Sequence, residues 1–141
     1  VFARARTPGP EHSALVVCDA DGTNERVVAT VTLPESVAVS FFGAPSWSPD
    51  GQTIATPVTS NSGSRALAAQ GARLALVDVG SGAMRTLGSS EWLHVGQVAW
   101  LPHGRSLLMI ARAPLDAQAQ VWMAPADGRP PHRVTTGDGE Y

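Results

Sequence analysis

One stretch of this chain restricts its fold more than any other: Ala44-Pro45-Ser46-Trp47-Ser48-Pro49-Asp50-Gly51-Gln52-Thr53-Ile54-Ala55. It reads as a short strand, a tight turn at Pro49-Asp50-Gly51, and a second strand. The Asp-Gly pair supplies the positive φ that such a turn needs. A looser copy follows at Val98-Ala99-Trp100-Leu101-Pro102-His103-Gly104-Arg105-Ser106-Leu107-Leu108, which places Trp47 and Trp100 53 residues apart. A unit recurring at about 50 residues is too small to bury a core alone, so its neighbours must supply the rest.

The remaining segments fall into place around these two hairpins. Phe2 to Arg6 alternates apolar and charged residues, and Ser13 to Cys18 is a continuous apolar run of strand length. Asp19 to Asn24 reads as a hairpin turn, and Arg26 to Leu33 as a β-branched strand. Residues 34 to 43 form a longer connection, in which Val37 to Phe42 is a strand extension or a packed loop. Pro57 lies inside the second strand of the anchor hairpin and predicts a bulge or an early end there. Residues 59 to 71 read as a loop, with Arg65 to Gln70 able to make one helical turn. Further strands are expected at Arg73 to Val79, Met84 to Leu87, Arg105 to Arg112, Gln120 to Ala124 and His132 to Thr135. Gly88 to Gln97 reads as a connector.

Aligning Val16-Val17-Cys18-Asp19 with Ala75-Leu76-Val77-Asp78 and Trp122-Met123-Ala124-Pro125 gives a four-stranded unit. Asp19 to Arg26 and Asp78 to Arg85 each span seven residues, so the outer hairpin keeps its length. The expected organisation is a partial unit over 1–33, lacking the Trp-headed strand, a full unit over 34–88 and a full unit over 89–141. Such units stack as propeller blades or pair as a sandwich. The run Leu107-Leu108-Met109-Ile110 favours blades, whose inner strands are buried on both faces.

The 141 residues amount to one domain, and 43% are hydrophobic. Net charge is −2 and only 16% of residues are charged, so no basic stripe is available for a nucleic-acid backbone. The longest apolar runs are short, such as Leu107 to Ala111, which argues against direct membrane insertion. The first six residues lack the apolar core of a signal peptide. The single cysteine, Cys18, cannot form an internal disulfide and is expected to be a small buried hydrophobe.

The anchor segment Pro45-Ser46-Trp47-Ser48-Pro49-Asp50-Gly51-Gln52-Thr53-Ile54-Ala55 resembles the blade signature of the TolB-like, WD40-like β-propeller repeats of the PD40 type. Gln120 to Gly128 followed by His132 to Thr136 is similar to that family's third strand, Asp-Gly turn and fourth strand. Gly137 to Tyr141 is similar to its connector into a further blade. The second anchor departs from the pattern, with Leu101 for Ser and His103 for Asp. The resemblance implies an all-β fold of four-stranded antiparallel propeller blades, about two full and one partial. It implies a ring of six or more, so the chain is expected to be a fragment of a larger propeller, or to close a ring as a homo-oligomer if it is complete. It also implies a periplasmic or cell-envelope setting.

Candidate chemistry is sparse. Trp47 and Trp100 read as plugs between blades with locally bonded indoles. Asp19 to Gly22 does not continue as a calcium loop, because Asn24 and Thr30 stand where glycine and an acid are needed. His12, His94, His103 and His132 have no metal-ligand spacing. No Gly-x-Ser-x-Gly elbow or phosphate loop occurs. No cofactor, metal site or catalytic residue is therefore expected. Trp92, His94, Asp138 and Tyr141 lie in equivalent connectors and are the candidate ligand or partner surface. The expected function is a non-catalytic protein-interaction or sensing propeller, with a protein partner or further blades as its partners and no nucleic acid. The resemblance suggests a bacterial envelope protein or the propeller of a receptor kinase. The alternative is the gating propeller of a prolyl-oligopeptidase-type serine peptidase whose catalytic domain lies outside this chain.

Overall fold

The computed structural model describes residues 2–9, 12–37, 44–61, 70–88 and 92–135. Among these residues the regular structure is entirely β. Twelve strands form three antiparallel sheets. The first holds β1 (Phe2–Gly9), β2 (His12–Cys18) and β3 (Arg26–Thr32), in that order. The second holds β4 (Glu35–Val37), β5 (Ser46–Trp47), β6 (Thr53–Asn61), β7 (Gln70–Asp78) and β8 (Met84–Thr86). The third holds β9 (His94–Trp100), β10 (Ser106–Arg112), β11 (Gln120–Pro125) and β12 (His132–Arg133). Each strand pairs with its sequence neighbour, as a meander does. The one exception is β6, whose same edge takes β5 at Ile54 and Ala55 and β4 at Val58 to Ser60.

That split edge explains why Pro57 does not end its strand. β6 continues to Asn61 in unbroken register with β7, Pro57 facing Leu74. The Gln52 carbonyl accepts from Val79 N–H on the β7 side, whereas the Thr53 carbonyl accepts from Ser48 N–H on the β5 side. Alternation along an antiparallel strand then turns the Pro57 nitrogen toward the β4/β5 side. It falls in the gap between the two short strands, where no N–H is required. The expected bulge or early end at Pro57 is therefore absent. The expected loop shortens accordingly, since β6 and β7 claim its ends. The expected helical turn at 65–70 lies outside the described residues except for Gln70, which is in β7. β9 likewise starts at His94, so the expected connector to Gln97 is shorter than its sequence suggested.

The sheets stack face to face. Leu15, Val17, Val28 and Val31 of the first pack against Ile54 and Val77 of the second, with Trp47 at the margin. The opposite face of the second, with Ala55, Leu74 and Leu76, packs on Val98, Leu107, Met109 and Ala111 of the third. The second sheet is thus buried on both sides, and Ile54 to Val58 and Leu74 to Val77 are buried without interruption. In β10 burial alternates instead: Leu107, Met109 and Ala111 are buried, while Leu108 and Ile110 are half-exposed. Burial on both faces, expected of Leu107 to Ile110, is found one sheet earlier. Cys18 is buried and unpaired, as expected.

A repeated contact fixes the spacing between sheets. Arg26 at the start of β3 donates to the Val79 carbonyl in the β7–β8 turn at 3.1 Å. Arg85 in β8 donates to the Ala126 carbonyl after β11 at 2.7 Å. Donors and acceptors occupy equivalent positions of successive units, so each sheet fastens to the next by the same link. The turns are stiffened locally: the Asp50 carboxylate accepts from Ser48 Oγ and Gln52 N, and Asp78 accepts from Ser81 Oγ and N. These donors hold both carboxyls below their ordinary pKa.

Close approach of the first two sheets also fixes Gly82, whose φ is 73° and whose added Cβ would lie 2.5 Å from the Val28 carbonyl oxygen. Gly128 has a similar φ of 92° with open space around it. Gly128→Ala is expected to cost only left-handed strain, about 1 kcal/mol. Gly82→Ala must also push a strand of the neighbouring sheet, for a loss of about 3 kcal/mol or more. Chemical denaturation of both variants checks this, and equal losses would contradict the packing described.

Candidate functional site

The chain crosses from the second sheet to the third within three residues. Trp92 bridges Ala72 of β7 by backbone, with Ala72 N–H donating to the Trp92 carbonyl at 2.7 Å. His94 already pairs with Arg112 in the third sheet, and Leu93 N–H donates to the Arg112 carbonyl at 2.9 Å. This crossing carries the two candidate residues that fall within the described chain. The Trp92 side chain is 6% exposed and belongs to the core between sheets two and three. His94 is exposed at the head of β9. Asp138 and Tyr141 lie outside the described residues.

Trp92 meets Trp122 of β11 edge to face, ring centres 4.8 Å apart and planes at 76°. The Arg133 guanidinium lies 5.2 Å from the centre of the Trp122 ring, a cation–π arrangement, and pairs with Asp116 of the β10–β11 loop. Asp116 also accepts from Ala113 N–H at 3.4 Å, which holds the loop against β10. Sequence reasoning missed Arg112, Trp122, Arg133 and Asp116. Trp122 was read only as part of a strand, and the others become neighbours only through the register of β10, β11 and β12.

Hydrogen-bond donors predominate at this end. Trp92 Nε1, Trp122 Nε1 and Arg112 Nε are buried without a partner among the described residues, and Gln118 Oε1 is a buried acceptor in the same state. Buried unpaired donors are uncommon in folded chains, and each costs about 1–3 kcal/mol when left so. Among the described residues the arrangement pairs no nucleophile with a base. No group of three or more His, Cys, Asp or Glu able to hold a metal occurs among the described residues. His94 has a pKa below its ordinary value, first through burial and then through the positive charge of Arg112.

The expected tryptophan plugs take different forms. Trp100 reaches across to the preceding sheet, its indole N–H donating to the Ser46 carbonyl at 3.2 Å and its backbone N–H to Ser46 Oγ at 3.3 Å. Trp47 packs beside the core between sheets one and two, with its indole N–H unpartnered among the described residues. The expected local bonding of the indoles is thus an inter-sheet bond at Trp100 and is absent at Trp47.

The outward face of the third sheet is an apolar groove of about 270 Å³. Its walls include Leu108, Ile110 and Val121. Register relates this face to the second sheet. Trp47 faces Ile54 and Trp100 faces Leu107, so Ala55 corresponds to Leu108 and Pro57 to Ile110. Across the strands, Leu76 corresponds to Met123 and Leu74 to Val121. The second sheet receives the third on Ala55, Leu74 and Leu76. The third sheet presents the same positions half-exposed.

No family model matches the chain, and no curated protein sequence matches it. Solved structures do. TolB from Acinetobacter baumannii matches with a TM-score of 0.69 at 14% identity, over 99% of this chain and 30% of that one. An oligogalacturonate lyase from Vibrio parahaemolyticus matches with a TM-score of 0.68 at 16% identity, over 89% of this chain and 36% of that one. The β-propeller domain of the Trilobed protease from Pyrococcus furiosus matches with a TM-score of 0.57 at 12% identity, over 94% of this chain and 38% of that one. The chain thus spans between 30% and 38% of the length of these structures. At such identities the likeness establishes the fold alone: stacked antiparallel sheets of a β-propeller, similar to those of TolB.

Replacing Arg112 by Gln removes the charge that disfavours the His94 imidazolium. The His94 pKa is expected to rise toward the ordinary histidine value, while the burial contribution remains. In the unaltered chain the sign is the reverse: the depressed pKa costs stability as pH falls through the unfolded-state value near 6.5. Titration of the His94 ring resonance by NMR measures the shift, and an unchanged value in Arg112→Gln would refute the pairing.

Proposed function

We propose that this chain is a non-catalytic propeller module whose work is protein interaction, with the outward face of its third sheet as the seat for a further four-stranded sheet. The observation that carries this reading is the correspondence of Leu108, Val121 and Met123 with the residues on which the second sheet already receives the third. Half-exposed apolar side chains in one contiguous groove favour burial by about 25 cal/mol per Å². The covering sheet is a further blade of the same propeller or, where the chain stands alone, a blade of another copy. On their connector positions in the sequence, Trp92, His94, Asp138 and Tyr141 are assigned to the partner-facing surface. The likeness to TolB fits an envelope protein or a receptor kinase's propeller.

The second reading is a gating propeller of a prolyl-oligopeptidase-type serine peptidase, with its catalytic domain elsewhere. The match to the propeller domain of the Trilobed protease favours it. A Gly-x-Ser-x-Gly domain in the same reading frame would decide for the peptidase, and a kinase domain or neither for the interaction module.

The seat itself is tested with a soluble paramagnetic relaxation agent. In the dilute 141-residue chain, the Leu108, Ile110 and Val121 methyls are expected to relax strongly. They are expected to be shielded in the product of the complete reading frame, or on raising the concentration if that product is this chain. Strong relaxation under all of these conditions would overturn the seat.

A further inference from the structure

The turn end of sheets two and three carries a feature that neither reading uses. A cleft of about 360 Å³ lies between the Pro49–Asp50 turn and the Pro102–Gly104 turn, with Arg85 and Trp100 in its walls. A second cleft of about 630 Å³ is bounded by His103, Arg105, Ser106, Ala126, Asp127 and Arg129. His103 and Ala126 line both, so the two clefts are adjacent. The strand β10 separates this depression from Arg112 by about 20 Å at the usual rise per residue. It therefore lies at the opposite end of β10 from the Trp92 crossing.

Its charges are unevenly matched. Asp127 is occupied by Arg129, which donates through both its backbone N–H and Nε. Asp50 is occupied by its own turn. Arg85 spends one N–H on the Ala126 carbonyl, a neutral acceptor, so its charge stays uncompensated. Arg105 makes no side-chain hydrogen bond or ion pair among the described residues. His103 Nδ1 accepts from Arg105 N–H at 3.0 Å, so the neutral ring carries its proton on Nε2 as a donor. Arg129 and Asp127 thus offset each other, and Arg85 and Arg105 are left without a carboxylate partner among the described residues, in a chain whose net charge is −2.

We propose that this depression binds a compact polyanion, its closely spaced carboxylate or phosphate oxygens held between Arg85, Arg105 and Arg129 with a donor from His103. Guanidinium forks match such oxygens two at a time, and a cleft that raises the local potential favours multiply charged ligands over single charges. The site is solvent-exposed, so binding weakens with salt.

The test is an NMR titration of the 141-residue chain with citrate and, separately, with tripolyphosphate, at constant ionic strength set by sodium chloride. Saturable shifts confined to the amides of His103 to Ser106 and Ala126 to Arg129, and to the arginine Nε resonances, are expected. Saturation by citrate assigns carboxylates, by tripolyphosphate assigns phosphates, and by both assigns the shared chemistry. The double variant Arg105→Gln/Arg129→Gln changes only exposed side chains and is expected to lose tenfold or more in affinity with its amide dispersion intact. Shifts that grow linearly and spread into β2 and β3, or an affinity the double variant leaves unchanged, overturn the proposal.

Discussion

The structure depends on one constraint: a small antiparallel sheet cannot bury a face by itself, so every face buried here is buried by a neighbouring sheet. The second sheet meets that condition fully. Ile54 and Val77 point into the first sheet, and Ala55, Leu74 and Leu76 point into the third. Its two inner strands are accordingly apolar at consecutive positions, where a half-solvated sheet would alternate. In the third sheet, which has one neighbour among the described residues, β10 is also apolar at consecutive positions, yet its burial alternates. Sequence sets the capacity for two-sided burial, and the number of neighbours decides whether it is used.

The same constraint organises the polar contacts. Face-to-face apolar packing has no direction within the plane, so it cannot alone fix how far one sheet slides over the next. The arginine links do. Arg26 to the Val79 carbonyl and Arg85 to the Ala126 carbonyl are one contact used twice, at the outer edge of each sheet. Trp100 adds a third tie, to Ser46, near the opposite edge. Gly82 and Gly88 allow the edges to close, since an added Cβ would lie 2.5 Å from the Val28 carbonyl oxygen at the first and 2.8 Å from Pro131 Cδ at the second.

Much of this was legible in the sequence. The two Trp-headed hairpins, the Asp-Gly turns and the seven-residue outer hairpins placed the units, because turn chemistry and strand length are local properties. What was not legible depended on pairings between distant segments. Pro57 looked like a strand breaker because nothing in its neighbourhood shows that β4 and β5 leave a gap opposite its nitrogen. The signal for the arginine links was present, since Arg26 and Arg85 follow Asp19 and Asp78 at equal distance, but it read only as hairpin length. At the candidate site, Trp92 and His94 were proposed from their connector position. Trp122, Arg133, Asp116 and Arg112 were not, because the register of three strands brings them together. The polar depression at the turn end likewise needs two sheets side by side before Arg85 and Arg105 become neighbours.

The stacking order is tested most directly by methyl–methyl nuclear Overhauser effects in the 141-residue chain. The account requires cross-peaks from Leu15 and Val17 to Ile54 and Val77, and from Leu74 and Leu76 to Leu107 and Met109, with none joining Leu108 or Ile110 to the second sheet. Cross-peaks from Leu108 to Leu74 or Leu76, or a network in which the first sheet touches the third and misses the second, would contradict it.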